Sequence, residues 1–337
     1  MYSPLNLLFV FSLIFSTLLC ISSNSWLGVW IGLEMNLLSF IPLMNNNKNS
    51  LSNEASLKYF LIQALASILL LFFINMNFIS SNYFSMMYFN DIYMLILNSS
   101  LLLKLGAAPL HFWFPNVMES MNWMNNLFLM TWQKINPFIC ISYCFNYKFC
   151  MILAMMSIIM GSLGGFNSTS IRKIMAFSSI THIGWMIMSL LISEMNFWFY
   201  FMFYMIISIS LILLFNLLKL FYVNQLLSNS ISFLMKFCIF SSFLSMGGLP
   251  PFIGFIPKWI IIESLLNNKI IYLSLLMIMM TLITLFFYLR LTFSSLMLNN
   301  FQMYWKINTN NSKFNKIFIL NYFSMMFFPL LFMLFMT

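Results

Sequence analysis

Charge is what this sequence has least of. Charged residues make up 6% of the 337 positions, where a soluble domain carries about 25%. With 62% of residues hydrophobic, that deficit excludes a water-soluble globular protein. Acidic residues are scarcer still, six Asp and Glu against fifteen Lys and Arg, yet the net charge of +9 does not indicate nucleic acid. No basic cluster is interleaved with aromatics on a polar face, and most lysines stand alone near the ends of apolar runs. The five cysteines (Cys20, Cys140, Cys144, Cys150 and Cys238) include no Cys-x-x-Cys pair and no Cys/His array of zinc or iron–sulfur spacing. They read as small apolar packing residues. The two histidines are too widely separated in sequence to suggest paired haem ligation. No glycine-rich nucleotide loop and no Ser/His/Asp or Cys/His set is recognisable. The chain is therefore expected to bind no cofactor or metal of its own. The start of the chain lacks a basic stretch before its first apolar run and lacks an Arg-rich amphipathic presequence, so no cleaved leader is expected.

What is abundant is apolar sequence in runs of about 20 residues, the length that crosses a hydrocarbon core at 1.5 Å per residue. Strict two-residue alternation is absent, so the spans are helical rather than barrel strands. About eleven spans are expected: 5–22, 25–44, 54–75, 91–120 (interrupted), 125–146, 148–166, 171–192, 197–222, 231–266 (interrupted), 270–294 and 316–336. The fold class is all-α, a polytopic membrane protein, with residues 1–337 forming one transmembrane domain in contact with membrane lipids. Basic residues favour one side. Lys48, Lys58, Arg172, Lys173, Lys219, Lys236, Lys306, Lys313 and Lys316 fall on the N-terminal side, against chiefly Lys148 and Lys269 on the other. The positive-inside rule then places the N-terminus in the cytoplasm or a mitochondrial matrix, and an odd number of spans places the C-terminus opposite.

The two interrupted spans share a pattern. One reads Lys104-Leu105-Gly106-Ala107-Ala108-Pro109-Leu110-His111, the other Met246-Gly247-Gly248-Leu249-Pro250-Pro251, followed shortly by Lys258. Each contains Gly-x-x-Pro, at Gly106/Pro109 and at Gly247/Pro250. Proline removes a backbone donor and clashes with the preceding turn, so both helices should unwind there. Unwound backbone survives at membrane depth only against protein or a wet cavity. The breaks lie five spans apart, an odd number, so a repeat of that period is inserted upside down. Paired broken helices in inverted repeats are the sequence pointer to a transport path, with ordinary proline kinks in structural helices as the alternative.

Four charges are expected at lipid depth: Glu34, Lys104, Lys134 and Lys258. A charge at the centre of a span costs roughly 2.5–3.5 kcal/mol by insertion scales, so it persists only with a partner, water or a task. Glu34 lies near the middle of 25–44 and is too short to reach the interface; a structural glutamate bonded to Asn or Ser neighbours is the alternative. A desolvated ammonium can lose its proton near neutral pH, and a carboxylate that approaches or withdraws switches it. That is the chemistry of a proton relay. His111, inside the first break, and His182, in Ser178-Ser179-Ile180-Thr181-His182, are further relay candidates, with a hydrogen-bonded core histidine as the alternative for each. For Lys258 the alternative is snorkelling to the interface.

These segments carry a resemblance. SNSWLGVWIGLEMNLLSFIPL from Ser23, NEASLKYFLIQALAS from Asn53, LLLKLGAAPLHFWFP from Leu101, TWQKINPF from Thr131, RKIMAFSSITHIGWM from Arg172, GGLPPFIGFIPKW from Gly247 and TLITLFFYLR from Thr281 resemble the subunit 2 family of mitochondrial NADH:ubiquinone oxidoreductase (respiratory complex I), arthropod members most of all. The resemblance implies an antiporter-like fold of two inverted five-helix repeats, 5–146 and 148–294, each with a broken helix, plus a C-terminal transmembrane helix at 316–336. It also implies that bacterial relatives carry three further N-terminal helices. In the family, the carboxylate matching Glu34 pairs with the lysine matching Lys104. The lysine matching Lys134 lies further along a central hydrophilic axis, and that matching Lys258 lies in the second broken helix. The chain departs from strict internal symmetry, because span seven holds His182 where span two holds Glu34.

The implied function is proton translocation across the mitochondrial inner membrane, coupled to electron transfer from NADH to ubiquinone. NADH, FMN, iron–sulfur clusters and ubiquinone would be used by other subunits. The implied partners are the other membrane-arm and accessory subunits, with no nucleic acid. A free-standing cation/proton antiporter of the same fold is the alternative, as is a scaffold without pumping, which the retained intramembrane charges oppose.

Overall fold

A computed structural model describes residues 4–45, 49–83, 87–227 and 233–297, the side chains of 78–92, 227–234 and 294–297 excepted. Among these the chain is helical throughout. No strand forms, and a single isolated antiparallel bridge joins Ser170 to Tyr222. The chain divides into two compact units, Met1–Ala154 and Met155–Thr337. In order, the helices are α1 (Pro4–Ser22), α2 (Trp26–Met44), α3 (Ser50–Tyr83), α4 (Met87–Leu105), α5 (Trp113–Ser120), α6 (Trp123–Met130), α7 (Trp132–Tyr143), α8 (Tyr147–Phe166), α9 (Ile171–Ile192), α10 (Glu194–Leu218), α11 (Val223–Leu227), α12 (Phe233–Gly247), α13 (Phe255–Asn267) and α14 (Ile271–Met297). The helix expected over 316–336 lies outside the described residues.

Seven of these helices are long and apolar enough to cross a membrane: α1, α2, α8, α9, α10 and most of α3 and α14. Each begins or persists for local reasons. Ser25 caps α2 by accepting from the Gly28 N–H, and Ser193 caps α10 by accepting from that of Asn196. Several buried serines within the apolar helices are satisfied on the spot. Ser39, Ser100, Ser178, Ser179 and Ser189 each donate to the carbonyl three residues earlier, at 2.7–2.8 Å. None of these five serines therefore leaves an unmet donor.

The other apolar runs are pairs of shorter helices in series. The expected breaks fall between α4 and α5 and between α12 and α13, and both are built alike. At the first, the Gly106 N–H donates to Leu103 O (3.2 Å) and the Ala107 N–H to Leu102 O (3.0 Å). At the second, the Gly248 N–H donates to Ser245 O (3.1 Å) and the Leu249 N–H to Leu244 O (3.3 Å). This is the helix-ending motif that requires a left-handed residue just past the last turn. Gly106 (φ 74°) and Gly248 (φ 79°) supply it. The left-handed turn thus sits one residue beyond Gly247, which instead closes α12. A third interruption occurs within 125–146, expected to be one continuous span. It is split at Thr131, where α6 ends and α7 begins. There the Thr131 hydroxyl bonds back to Leu127 O at 2.7 Å, and Pro137 inside α7 has no N–H to offer the Gln133 carbonyl.

Packing follows the same plan in both units. In the first, α3 contacts α2, α4 and α5; in the second, α10 contacts α9, α12 and α13. Of the seven long helices, α9 is the most enclosed and α1 the least. The all-round apolar character of the exposed helix faces, such as Phe11, Leu38, Leu61 and Leu282, is that of segments surrounded by lipid.

Candidate functional site

In the first unit Lys104 stands in the last turn of α4, immediately before the break, and is buried, with 7% of its surface exposed. Glu34 of α2 is half-buried. The two act on each other coulombically, yet among the described residues no ion pair joins them. Beside Lys104 lies a small cavity of about 20 Å³ lined by Asn36, Tyr59, Gln63, Lys104, Gln133 and apolar neighbours. That volume, the space open to the centre of a water-sized sphere, exceeds the roughly 10–15 Å³ that one water needs. Its walls are hydrogen-bonded to one another. Gln133 Nε2 donates to Asn36 Oδ1 at 2.8 Å, the Tyr59 hydroxyl donates to Gln133 Oε1 at a long 3.4 Å, and Gln63 Nε2 donates to Lys104 O at 3.2 Å. Amides from α2, α3 and α7 thereby line a cavity that Lys104 of α4 also borders.

Lys134 is in the first turn of α7, just past the Thr131 break, and only 1% exposed. Its Nζ lies over the Phe114 ring, 5.7 Å from the centroid. Gly106 backs the same ring, since a Cβ there would come within 3.2 Å of Phe114 Cβ. Pro109 lies in the first break, past the Gly106 turn. His111, also in this break, is buried; its contacts are local, with Nδ1 3.3 Å from Pro109 O and its ring stacked on Phe112.

The second unit solves the problem of a buried ammonium differently. Lys258, near the start of α13 and 7% exposed, donates to Gly247 O at 2.9 Å and Met246 O at 3.2 Å. These carbonyls are left over by the helix-ending motif, and they form the negative end of the α12 dipole, where a cation is favoured. The Trp185 ring lies 6.0 Å from Nζ. Gly248 makes room for the approach, because a Cβ there would lie 2.9 Å from Lys258 Cδ. Pro250 follows in the loop that leads to α13. His182, on α9, is buried, with Nδ1 2.7 Å from the Tyr200 hydroxyl and its ring 5.0 Å from that of Tyr204. Tyr200 stacks parallel on Trp185 at 6.4 Å, so His182 and Lys258 border one aromatic cluster.

All five cysteines are free and buried, and Cys20 Sγ lies 3.6 Å from Cys140 Sγ. Among the described residues no group of three or more His, Cys, Asp and Glu is placed to hold a metal.

Residues 23–284 match the family model described as NADH:quinone oxidoreductase/Mrp antiporter, TM. The chain is 52% identical over 315 residues to NADH-ubiquinone oxidoreductase chain 2 of Anopheles gambiae, covering 93% of this chain and 92% of that one. The chain belongs to this family. Its chain 2 likeness extends to Locusta migratoria (46% identity; 94% and 92% covered) and to Hylobates lar (38%; 93% of each). Among solved structures, a chain of respiratory complex I from Thermus thermophilus superposes with a TM-score of 0.85 at 19% identity, covering 96% of this chain and 78% of that one. A chain of the Mrp complex from Dietzia sp. gives 0.77 at 17%, covering 89% and 62%. The chain therefore has the antiporter-like helical fold of the NADH:quinone oxidoreductase/Mrp family. Its site also contains residues that sequence reading passed over: Asn36, Tyr59, Gln63 and Gln133 around Lys104, Gly248 under Lys258, and Tyr200 and Tyr204 around His182. The nearest signal was Gln63, an amide inside the apolar run of α3.

Proposed function

We propose that this chain is a membrane-arm subunit of mitochondrial respiratory complex I, in which it translocates protons across the inner membrane while other subunits carry electrons from NADH to ubiquinone. The observation that carries this reading is the 52% identity to a chain 2 over nearly the full length of both. Glu34, Lys104, Lys134 and Lys258 form the proposed relay, with His111 and His182 as accessory stations. Support comes from lysines that are enclosed at or beside helix interruptions, where freed backbone and polar side chains can stabilise an ammonium in apolar surroundings. Glu34 would set the charge state of Lys104 by moving relative to it, since the interaction of two charges in a poorly screened interior changes steeply with distance. Lys258 has no matching carboxylate, and its control would come from the Met246 and Gly247 carbonyls.

The proposed architecture is eleven spans: seven continuous helices, three interrupted pairs and the segment 316–336. Two inverted five-helix repeats would run from 5 to 146 and from 148 to 294, a reading supported by the matched glycine turns and by the parallel packing of α3 and α10. The N-terminus would face the matrix and the C-terminus the intermembrane space. NADH, FMN, iron–sulfur clusters and ubiquinone would belong to other subunits. The partners are the remaining membrane-arm and accessory subunits and lipid.

Lys104→Met in the assembled complex tests the reading, with loss of NADH-driven proton translocation expected. Unchanged turnover and proton stoichiometry would remove Lys104 from the mechanism. The free-standing antiporter alternative predicts ion exchange by the purified chain in liposomes, whereas an obligate subunit is inert there.

A further inference from the structure

We propose that Gln133 is a positioning residue for proton movement at Lys104. It orients a single water in the cavity between them without itself carrying a proton. The inference rests on the relay reading above and assigns a role to groups that this reading leaves idle.

The cavity has space for about one water, and its polar lining comes from Lys104 and four neutral groups. Lys104 is more than nine-tenths buried. A buried ammonium without an acceptor is strongly unfavourable, and a water in a polar pocket with two to four partners supplies one. The amide of Gln133 is suited to fix that water. Its Nε2 is engaged by Asn36 Oδ1 at 2.8 Å and its Oε1 accepts from Tyr59 at 3.4 Å. The carbonyl oxygen has a second lone pair, so one acceptor site remains after the Tyr59 bond. Two partners on different helices, Asn36 on α2 and Tyr59 on α3, determine which way the amide points. Gln63 is tied to the Lys104 backbone at 3.2 Å and holds the α4 end of the arrangement.

A carboxamide neither gains nor loses a proton near neutral pH. It can align a water against an ammonium but cannot short-circuit the transfer. Gln133 also precedes Lys134 directly, at the start of the helix that follows the Thr131 break. Any rearrangement of that break moves the amide and the next lysine together, so the orientation of the water is coupled to the position of Lys134.

The test uses complex I assembled in mitochondria carrying Gln133→Leu, with Tyr59→Phe as a milder variant and Lys104→Met as reference. Turnover is normalised to assembled complex and measured in H2O and D2O. Gln133→Leu should lower turnover per complex by about tenfold, the equivalent of one hydrogen bond to a charged group, and raise the solvent isotope effect. Tyr59→Phe should shift both in the same direction by less. A merely structural role would reduce the amount of complex and leave turnover per complex and its isotope effect unchanged. Should Gln133→Leu fail to assemble, wild-type values for Tyr59→Phe would overturn the proposal. If Lys104→Met abolishes proton translocation while both other variants behave as wild type, the positioning role falls and the relay stands. If Lys104→Met is also neutral, the relay itself falls.

Discussion

The two units of this chain each bury an ammonium beside a broken helix, and they stabilise it by different chemistry. Lys104 sits before its break, within electrostatic reach of Glu34, and amides of Asn36, Gln63 and Gln133 line a water-sized space beside it. Lys258 sits after its break and turns back to take two backbone carbonyls, over a tryptophan that belongs to the cluster holding His182, Tyr200 and Tyr204. The first arrangement depends on a titratable partner and on rotatable side chains; the second depends on main chain, which cannot titrate. One backbone motif, the glycine turn at Gly106 and at Gly248, thus accompanies two different environments for a buried ammonium. On the proposed relay, the first would respond to charge and the second to helix geometry.

The largest way to break that comparison is to remove the second cation. Lys258→Met leaves the Met246 and Gly247 carbonyls without their donor, and turnover of the assembled complex should fall at least tenfold, about 1.4 kcal/mol in barrier. If Glu34→Gln and Lys258→Met produce identical pH and salt responses, the two modes of control are not distinct.

Next in size is the glycine beneath Lys258. Gly248→Ala forces a side chain into a left-handed residue and into the lysine stem, and should destabilise the complex by about 1–3 kcal/mol. Gly247→Ala meets nothing closer than 3.4 Å and should stay within about 0.5 kcal/mol. Thermal inactivation of the two variants side by side checks this, and equal effects would put the critical turn elsewhere. Smaller again is Tyr200→Phe, which deletes the His182 contact and should lower stability by about 0.5–1.5 kcal/mol, with turnover less affected than by Lys258→Met. The smallest effect is expected at the exposed Glu54–Lys58 pair, one helical turn apart with N···O of 2.5 Å. Glu54→Gln should change stability by less than about 0.5 kcal/mol and leave proton stoichiometry alone.

The parts of this molecule that sequence reveals are those written in rare residues. Gly and Pro are so few in an apolar run that Gly106-x-x-Pro109 and Gly247-x-x-Pro250 announce the two breaks. Lysine inside an apolar run is so rare that Lys104, Lys134 and Lys258 stand out, and all three are buried. The third break was not legible because Pro137 without an accompanying glycine reads as an ordinary kink, and the turning residue, Thr131, is common in apolar helices. The shift from Gly247 to Gly248 was hidden because adjacent glycines carry the same signal and only the hydrogen-bonding pattern distinguishes them. The amide shell of Lys104 was hidden for another reason. Asn36, Gln63 and Gln133 come from three helices, and neutral polar residues are unremarked until packing brings them to one point. In the second unit, Tyr200 and Tyr204 were lost among the aromatics that make up 19% of the chain.

The most direct test of carboxylate control over Lys104 is the number of protons moved per NADH oxidised by assembled complex I carrying Glu34→Gln, in sealed membrane vesicles. A lowered stoichiometry, or turnover that collapses while assembly is normal, is the expected result. Wild-type stoichiometry at wild-type turnover would contradict it.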